Sequence, residues 1–431
     1  MNYNEAIDFI MSHRKFQKTG GHERIEQLLS LLGSPHKKLK FVHIVGTNGK
    51  GSTSVALSSV LQQAGYRTGL FTSPYVVKFG ERIQVDGEYI PDKDIIEICE
   101  LIKEKTLLMA NEEMYPTVFE VTTALAMVYF DKMKCDIVFL EAGIGGKHDS
   151  TNIIPSPLAC VFTAISLDHT EMLGDTTEKI AEEKSGIIKK GTSVVSYPLD
   201  SRSLDFTPQD EKAGKVIKKE SEKLGCPFVS PQCDKVTITK DTIDGLSFTY
   251  DNLNINVSMA GTFQVGNLIT AIETVKILRE KGFSITDEAI EEGLQKFFIP
   301  ARTEKIGENP LVIIDGGHNE ASVNALAKTV QKYLKGKKVT FLLSFMKDKD
   351  YETCIKTLSE VADNMVFTTV DKVRGENSAV LAEKAKVFCK NVYCSEDINE
   401  AYKNALSLTE KDGVLIVAGS FYLAAYVRSL N

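Results

Sequence analysis

No run of this 431-residue chain approaches the ~20 consecutive apolar residues of a membrane span. Its first stretch, MNYNEAIDFIMSHRK, carries Glu5 and Asp8 and lacks the long apolar core of a secretory signal. The eight cysteines, at 99, 135, 160, 226, 233, 354, 389 and 394, form no C-x-x-C pair, which argues against a zinc site or a disulfide framework. Cys99, Cys135, Cys160 and Cys389 lie in or beside apolar runs and are expected as buried thiols. Positive charge is short as well. A net charge of −7 and a pI near 5.7 leave no electrostatic reason for a nucleic-acid partner. Internal repeats and low-complexity segments are lacking. We therefore expect a soluble, cytoplasmic monomer with no nucleic-acid or membrane partner.

What is there is ordinary globular composition, 43% hydrophobic and 25% charged. At this length two domains are expected rather than one. KFVHIVG (40–46), TGLFTSP, CDIVFLEAG, LACVFTAIS and TSVVSYP read as strands, the continuous apolar ones as buried parallel strands. Between them STSVALSSVLQQAG (52–65), DKDIIEICELIKEKTLLM, TVFEVTTALAMVYFDKM and TTEKIAEEKSGIIKK have helical spacing. FGERIQVDGEYI reads as a hairpin about Asp86-Gly87. This alternation predicts a doubly wound, mostly parallel α/β sheet. From 232 to 258 the period changes to two, with turns at Asp244-Gly245 and Asp251-Asn252, which predicts a small antiparallel sheet. The helix GNLITAIETVKILREKG follows. FIPAR, 298–302, breaks the pattern; PLVIIDGGHN, KKVTFLLSF, NMVFTTV and GVLIVAGS then read as strands of a smaller Rossmann-like domain. The expected domains are 1–297 and 298–431.

HIVGTNGKGSTS (43–54) is close to the phosphate-binding loop G-x-x-x-x-G-K-[ST] without matching it. The first glycine comes two residues late, at Gly46, and Gly51 rather than a hydroxyl follows Lys50. Its context decides the reading. Three glycines surround a lysine between a buried strand and a helix, where N–H groups and the helix dipole favour anionic oxygens. Lys50 would reach phosphates, and the Ser52 and Thr53 hydroxyls would bond phosphate or metal water. Glu141 ends an apolar strand, where nucleotide enzymes place a Mg²⁺ ligand; a merely solvated strand-end carboxylate fits equally well. His169 follows another apolar strand at the same sheet end, yet an isolated histidine is more often a structural hydrogen-bonder. Lys184, among Glu182, Glu183 and Lys189, reads by composition as a solvated surface lysine. Asp315 and His318 in IIDGGHN stand at a strand end, consistent with a site or with a tight capped turn.

Taken in order, GTNGKGS, TSP, LEAGIGGKHDSTN, LDHTEMLGDT, IAEEKSGI, PAR and DGGHN resemble the Mur ligase superfamily, and within it the folylpolyglutamate synthase/dihydrofolate synthase family. The resemblance runs from GGHERIEQLLSLLG (20–33) to VAGSFYLAAYV (417–427). The loop is then the shortened phosphate loop of that superfamily. The resemblance implies an ATP-dependent amide ligase that adds L-glutamate through an acyl phosphate, and leaves open a folate acceptor, dihydropteroate, or both. It implies ATP contacts at Thr47, Asn48, Gly49, Lys50, Gly51, Ser52, Asn267, Arg302, Asp315 and His318, in a cleft between the domains. Ser73, Glu141, His169 and Lys184 match the ligands of two magnesium ions, with Lys184 carbamylated. Lys50, Lys184 and His169 would be catalytic. The pteridine substrate is expected at Lys18, Thr19, Gly20 and Gly21, at Thr117, Val118, Phe119 and Glu120, and at His148, Asp149 and Ser150. Phe119 could stack on the ring or simply belong to the core. Arg82 and Ser420 are candidates for the glutamate.

Two features depart from the family pattern. Lys147 and His148 stand where Arg and Leu are usual, and Glu320 replaces a common proline. Two rivals are weighed against the folate reading. A Mur ligase acting on a cell-wall precursor carries a UDP-binding domain ahead of the phosphate loop, and 45 residues before Gly46 are too few for one. A regulatory ATPase without ligase activity would leave Glu141, His169, Lys184 and Asp315 unexplained.

Overall fold

FVHIV (β1, Phe41–Val45) and IVFLE (β5, Ile137–Glu141) are buried along their whole length. They pair in parallel with Ile44 opposite Glu141. The computed structural model describes residues 1–14, 21–109, 112–201, 204 and 206–430. It forms two compact units: 1–237 with 248–257 and 264–297, and 238–247 with 258–263 and 298–431.

In the first unit β1 and β5 sit within an eight-stranded sheet of order β4-β3-β2-β5-β1-β6-β7-β8. The other strands are β2 (Thr68–Phe71), β3 (Ile83–Val85), β4 (Glu88–Tyr89), β6 (Ala159–Phe162), β7 (Ser193–Ser196) and β8 (Phe228–Val229). β2, β5, β1, β6, β7 and β8 run parallel, and β3 and β4 form the antiparallel edge hairpin. Its turn has Asp86 at φ 51° and Gly87 at φ 81°, as an Asp-Gly hairpin turn requires. Parallel strands put their carboxyl ends on one edge, so the loops after β1, β2, β5 and β6 all open there. One apolar cluster joins the helices Tyr3–Met11, Glu23–Leu31, Asp92–Thr106 and Val118–Lys132 to Phe41, Phe71, Val138 and Leu140. Another packs Thr177–Ser185 and Glu211–Lys223 on Val45, Phe162 and Val194. Cys99, Cys135, Cys160 and Cys389 are buried.

The segment 236–257 is a three-stranded antiparallel sheet of β9 (Val236–Thr242), β10 (Gly245–Tyr250) and β11 (Leu253–Val257). Asp251 and Asn252 take positive φ at its second turn. The second unit holds a six-stranded sheet, β12-β13-β17-β14-β15-β16. Its strands are β12 (Glu304–Glu308), β13 (Leu311–Ile314), β14 (Val339–Leu343), β15 (Asn364–Phe367), β16 (Val392–Cys394) and β17 (Val414–Ala418). Only β12 is antiparallel. Among the described residues no helix is long and apolar enough to cross a membrane.

His43, in the middle of β1, is 0% exposed, and burial with the nearby Lys189 charge lowers its pKa to about 3. The folded state keeps this ring neutral while the unfolded chain protonates it below pH ~6.5. Stability from His43 is therefore complete above pH 6.5 and falls as pH drops toward 3, by roughly 2 kcal/mol between pH 6.5 and 5. Urea unfolding at pH 7.5 and 5.0 should show this loss, and His43→Gln should flatten it. An unchanged pH dependence in that variant would remove His43 as its source.

Candidate active site

The loop after β1 is shaped by close approaches. Gly49, at φ 90°, is the N-cap of the helix Lys50–Gln63, and a Cβ there would collide with Asn267 Oδ1. A Cβ on Gly46 would collide with Thr163 Oγ1. Backbone N–H groups of Thr47 and Asn48 donate to Ala164 O at 2.8 and 3.1 Å. Thr47 Oγ1 donates to Ser166 O at 3.0 Å and accepts from Ser166 N–H at 3.1 Å. Asn48 Nδ2 donates to Ser166 Oγ at 3.3 Å. The β6 loop thus clamps the glycine loop. The first-turn N–H groups of the 14-residue helix, which include those of Lys50, Gly51 and Ser52, have no carbonyl one turn back to accept them. Thr53 Oγ1 beneath that turn is buried without a hydrogen-bond partner.

Two amines converge on this loop. Lys50 Nζ donates to Gly46 O and Thr47 O, each at 3.2 Å, and stands 4.0 Å from Glu141 Oε1. Glu141 is only 3% exposed, and its Oε2 accepts the Ser73 N–H at 3.4 Å. Gly51 lies against the same oxygen. Lys184 Nζ donates to Gly46 O at 2.9 Å. Far from being a solvated surface lysine, Lys184 is 4% exposed. Burial and the repulsion of Lys50 lower its pKa to about 7, against the opposing pull of Asp149, Asp168 and Glu183. A lysine poised there is in part a neutral amine near pH 7.

The loop between β5 and β6 packs on the backbone around Lys184. Gly146 presses on Lys184: a Cβ there would fall 2.6 Å from the Lys184 carbonyl oxygen. Lys147 N–H donates to Glu183 O at 2.8 Å, and Asn152 Nδ2 donates to Gly186 O at 3.1 Å. Asp149, buried, accepts the Ile144 and Thr151 N–H groups at 2.9 Å each and the Thr151 hydroxyl. Burial raises its pKa while these hydrogen bonds oppose the rise. Ser150 opens the short turn that Asp149 caps. His148 N–H and Nδ1 both contact Glu183, at 3.1 and 3.2 Å. Thr117 and Glu120 form a capping box on the helix Val118–Lys132, and Glu120 Oε2 also accepts from Arg24 Nε at 3.2 Å. Phe119 is half-buried against Gly143 and lies 5.9 Å from the Phe71 ring. Gly21 lines a cavity of about 360 Å³ with His22, Glu23, Glu26, Lys147 and His148. Lys18, Thr19 and Gly20 lie outside the described residues.

His169 takes a left-handed φ of 48° at the start of a four-residue helix, and its N–H bonds Asp168 Oδ1 at 2.8 Å. Arg82 lies over the Tyr75 and Phe79 rings at 5.1 and 6.0 Å. Asn267 Nδ2 donates to Gln264 Oε1 at 2.9 Å. Among the described residues no three His, Cys, Asp or Glu side chains gather as a metal cluster.

In the second unit Arg302 stands between Ala301 and Thr303, both left-handed at φ 55° and 47°. Such strain persists only where neighbours hold it. Asp315 accepts the Thr303 N–H and hydroxyl at 2.8 and 3.2 Å and the Gly317 N–H at 2.7 Å, while Glu304 accepts the Ala301 N–H at 2.8 Å. The Arg302 guanidinium lies 4.5 Å over the Phe421 ring, beside which the His318 ring packs at 5.7 Å. Ser420 caps the helix Phe421–Ser429. The clamps at Ser166 and Gln264 carry no signal in the sequence; Arg24 sits beside Glu23 in GHERI.

The fold is that of a Mur ligase: the Mur ligase middle domain matches residues 44–275, and the Mur ligase glutamate ligase domain matches 301–421. The chain is 34% identical over 435 residues to the dihydrofolate synthase/folylpolyglutamate synthase of Bacillus subtilis (strain 168), covering 99% of this chain and 98% of the relative. A Mycobacterium tuberculosis folylpolyglutamate synthase complexed with ADP and AMPPCP superposes with a TM-score of 0.89 at 26% identity, covering 100% of this chain and 99% of that one. A folylpolyglutamate synthase complex with AMPPCP and folate gives 0.85 at 29% identity, with both chains fully covered. The chain belongs to the folylpolyglutamate synthase/dihydrofolate synthase family.

Proposed function

We propose that this protein joins L-glutamate to the carboxylate of a folate, and to dihydropteroate, at the expense of ATP. The observation that carries the reading is the convergence of Lys50, Glu141 and Lys184 on one glycine loop at the carboxyl edge of the sheet. A free carboxylate resists amines, so it must first be activated. Its oxygen attacks the γ-phosphorus of ATP, giving an acyl phosphate and ADP. The α-amine of glutamate then attacks the acyl carbon, the amide forms, and phosphate leaves with the former carboxylate oxygen. Lys50 and the helix N–H groups would balance charge on the transferring phosphoryl group. Arg302 and Asp315 are proposed ATP contacts, Arg302 directly and Asp315 by holding the strained turn beside it.

The donor set fits magnesium. Glu141 offers a buried hard oxygen of the kind that ion prefers. Ser73, Glu141, His169 and a carbamylated Lys184 are the residues proposed to hold it. When bound, the metal would neutralise phosphate oxygens. Carbamylation replaces an ammonium, which would repel the ion, by oxygens; the buried, part-neutral Lys184 amine is suited to take up CO₂.

With ¹⁸O in the substrate carboxylate, one label per turnover should appear in inorganic phosphate. Unlabelled phosphate alongside amide product would exclude the acyl phosphate. Glu141→Gln should lower activity and raise the magnesium needed for half-maximal rate about tenfold. An unchanged magnesium dependence would take Glu141 out of the metal site.

A further inference from the structure

His43 and Thr151 are both 0% exposed and lie 108 residues apart in sequence, yet His43 Nε2 is 2.8 Å from Thr151 Oγ1. The Thr151 hydroxyl gives its one proton to Asp149 Oδ1. His43 must then be the donor, with its hydrogen on Nε2, and its Nδ1 is left without a partner. Both bonds point the same way, from His43 through Thr151 to Asp149, and such chains strengthen one another in a dry interior.

Asp149 fixes the loop at the Ile144 N–H. Asn152 Nδ2 ties that loop's Lys147 O (3.3 Å) to Gly186 O (3.1 Å), and Lys147 N–H holds Glu183 O. Gly146 bears on the Lys184 backbone, and Lys184 Nζ reaches Gly46 O, three residues after His43 and just beyond the end of the same strand. The path leaves β1 at His43 and returns at Gly46, the first residue of the loop that follows β1. We infer that His43 and Thr151 are positioning residues for Lys184, closing a ring that holds its amine against the phosphate loop. This rests on the proposed role of Lys184 in the ligase reaction.

The test uses the full chain with Thr151→Val, which keeps the shape and removes the hydroxyl, and Thr151→Ser, which restores it. His43→Leu and His43→Gln form the matching pair, since glutamine keeps a donor. Hydrogen exchange, which does not depend on any activity, should quicken in peptides covering 183–188 and 46–49 for Thr151→Val and His43→Leu, and stay near wild type for the serine and glutamine variants. Exchange changes confined to 144–152 would overturn the ring. In turnover, Thr151→Val should lose about 10-fold to 100-fold in kcat with the KM for ATP within about twofold, and Thr151→Ser should recover most of it. Equal loss in both threonine variants, insolubility of Thr151→Val, or a kcat that merely tracks the folded fraction would contradict positioning. If wild type itself shows no glutamate-dependent ADP release, the ligase reading fails; the exchange result still decides the ring.

Discussion

Lys50→Ala is expected to lower turnover by roughly 10² or more, because a positioned charge on a transferring phosphoryl group is worth several kcal/mol in a water-poor site. The side chain is only 17% exposed, and its amine is already folded over the glycine loop. Removing it also leaves Glu141, 4.0 Å away, without that counter-charge. The variant should fold, since the Lys50 amine bonds loop carbonyls and faces a carboxylate at a helix start. The loss should fall on kcat more than on the KM for folate. Near-normal kcat would remove Lys50 from the phosphate site.

Lys184→Ala should be more damaging still, with activity near background. It deletes the buried amine at Gly46 O. If Lys184 works as a carbamate, short carboxylic acids should partly restore activity by placing oxygens where the carbamate stood. The same reading predicts that bicarbonate activates the wild-type protein after CO₂ has been stripped, faster above pH 7, where the Lys184 amine is mostly neutral. A folded, fully active Lys184→Ala variant, or a bare amine at Lys184 in an active complex with magnesium and nucleotide, would refute the role.

Lys50 was legible because its signals are local: a strand, three glycines and a helix within a dozen residues. Lys184 was legible only through the family resemblance of IAEEKSGI, since two glutamates flank it and its own helix reads as solvated. Its burial is tertiary: Gly146 packs on its backbone from a loop 38 residues earlier, and its amine lies against Gly46 O. Glu120 read as a substrate contact through TVFE, yet the same letters are a capping box, and the structure uses the carboxylate for that and for Arg24. The main strands were visible as apolar runs. β12 and β16 were missed because EKIGE and VYC lack any run of buried side chains. The helices Tyr3–Met11, Glu23–Leu31 and Glu211–Lys223 were also passed over, although Asn2 and Glu5 form a capping box at the first. FIPAR showed a break in the pattern, but the left-handed backbone on either side of Arg302 was not legible, because the residues that adopt it are Ala and Thr rather than Gly.

The most direct measurement follows ADP and the amide product in one reaction of the purified chain with ATP, magnesium, L-glutamate and either tetrahydrofolate or dihydropteroate. The account predicts one ADP per product lengthened by a single glutamyl unit, with no ADP above background when glutamate or the pterin is left out. ADP release that ignores both substrates and yields no lengthened product would contradict it.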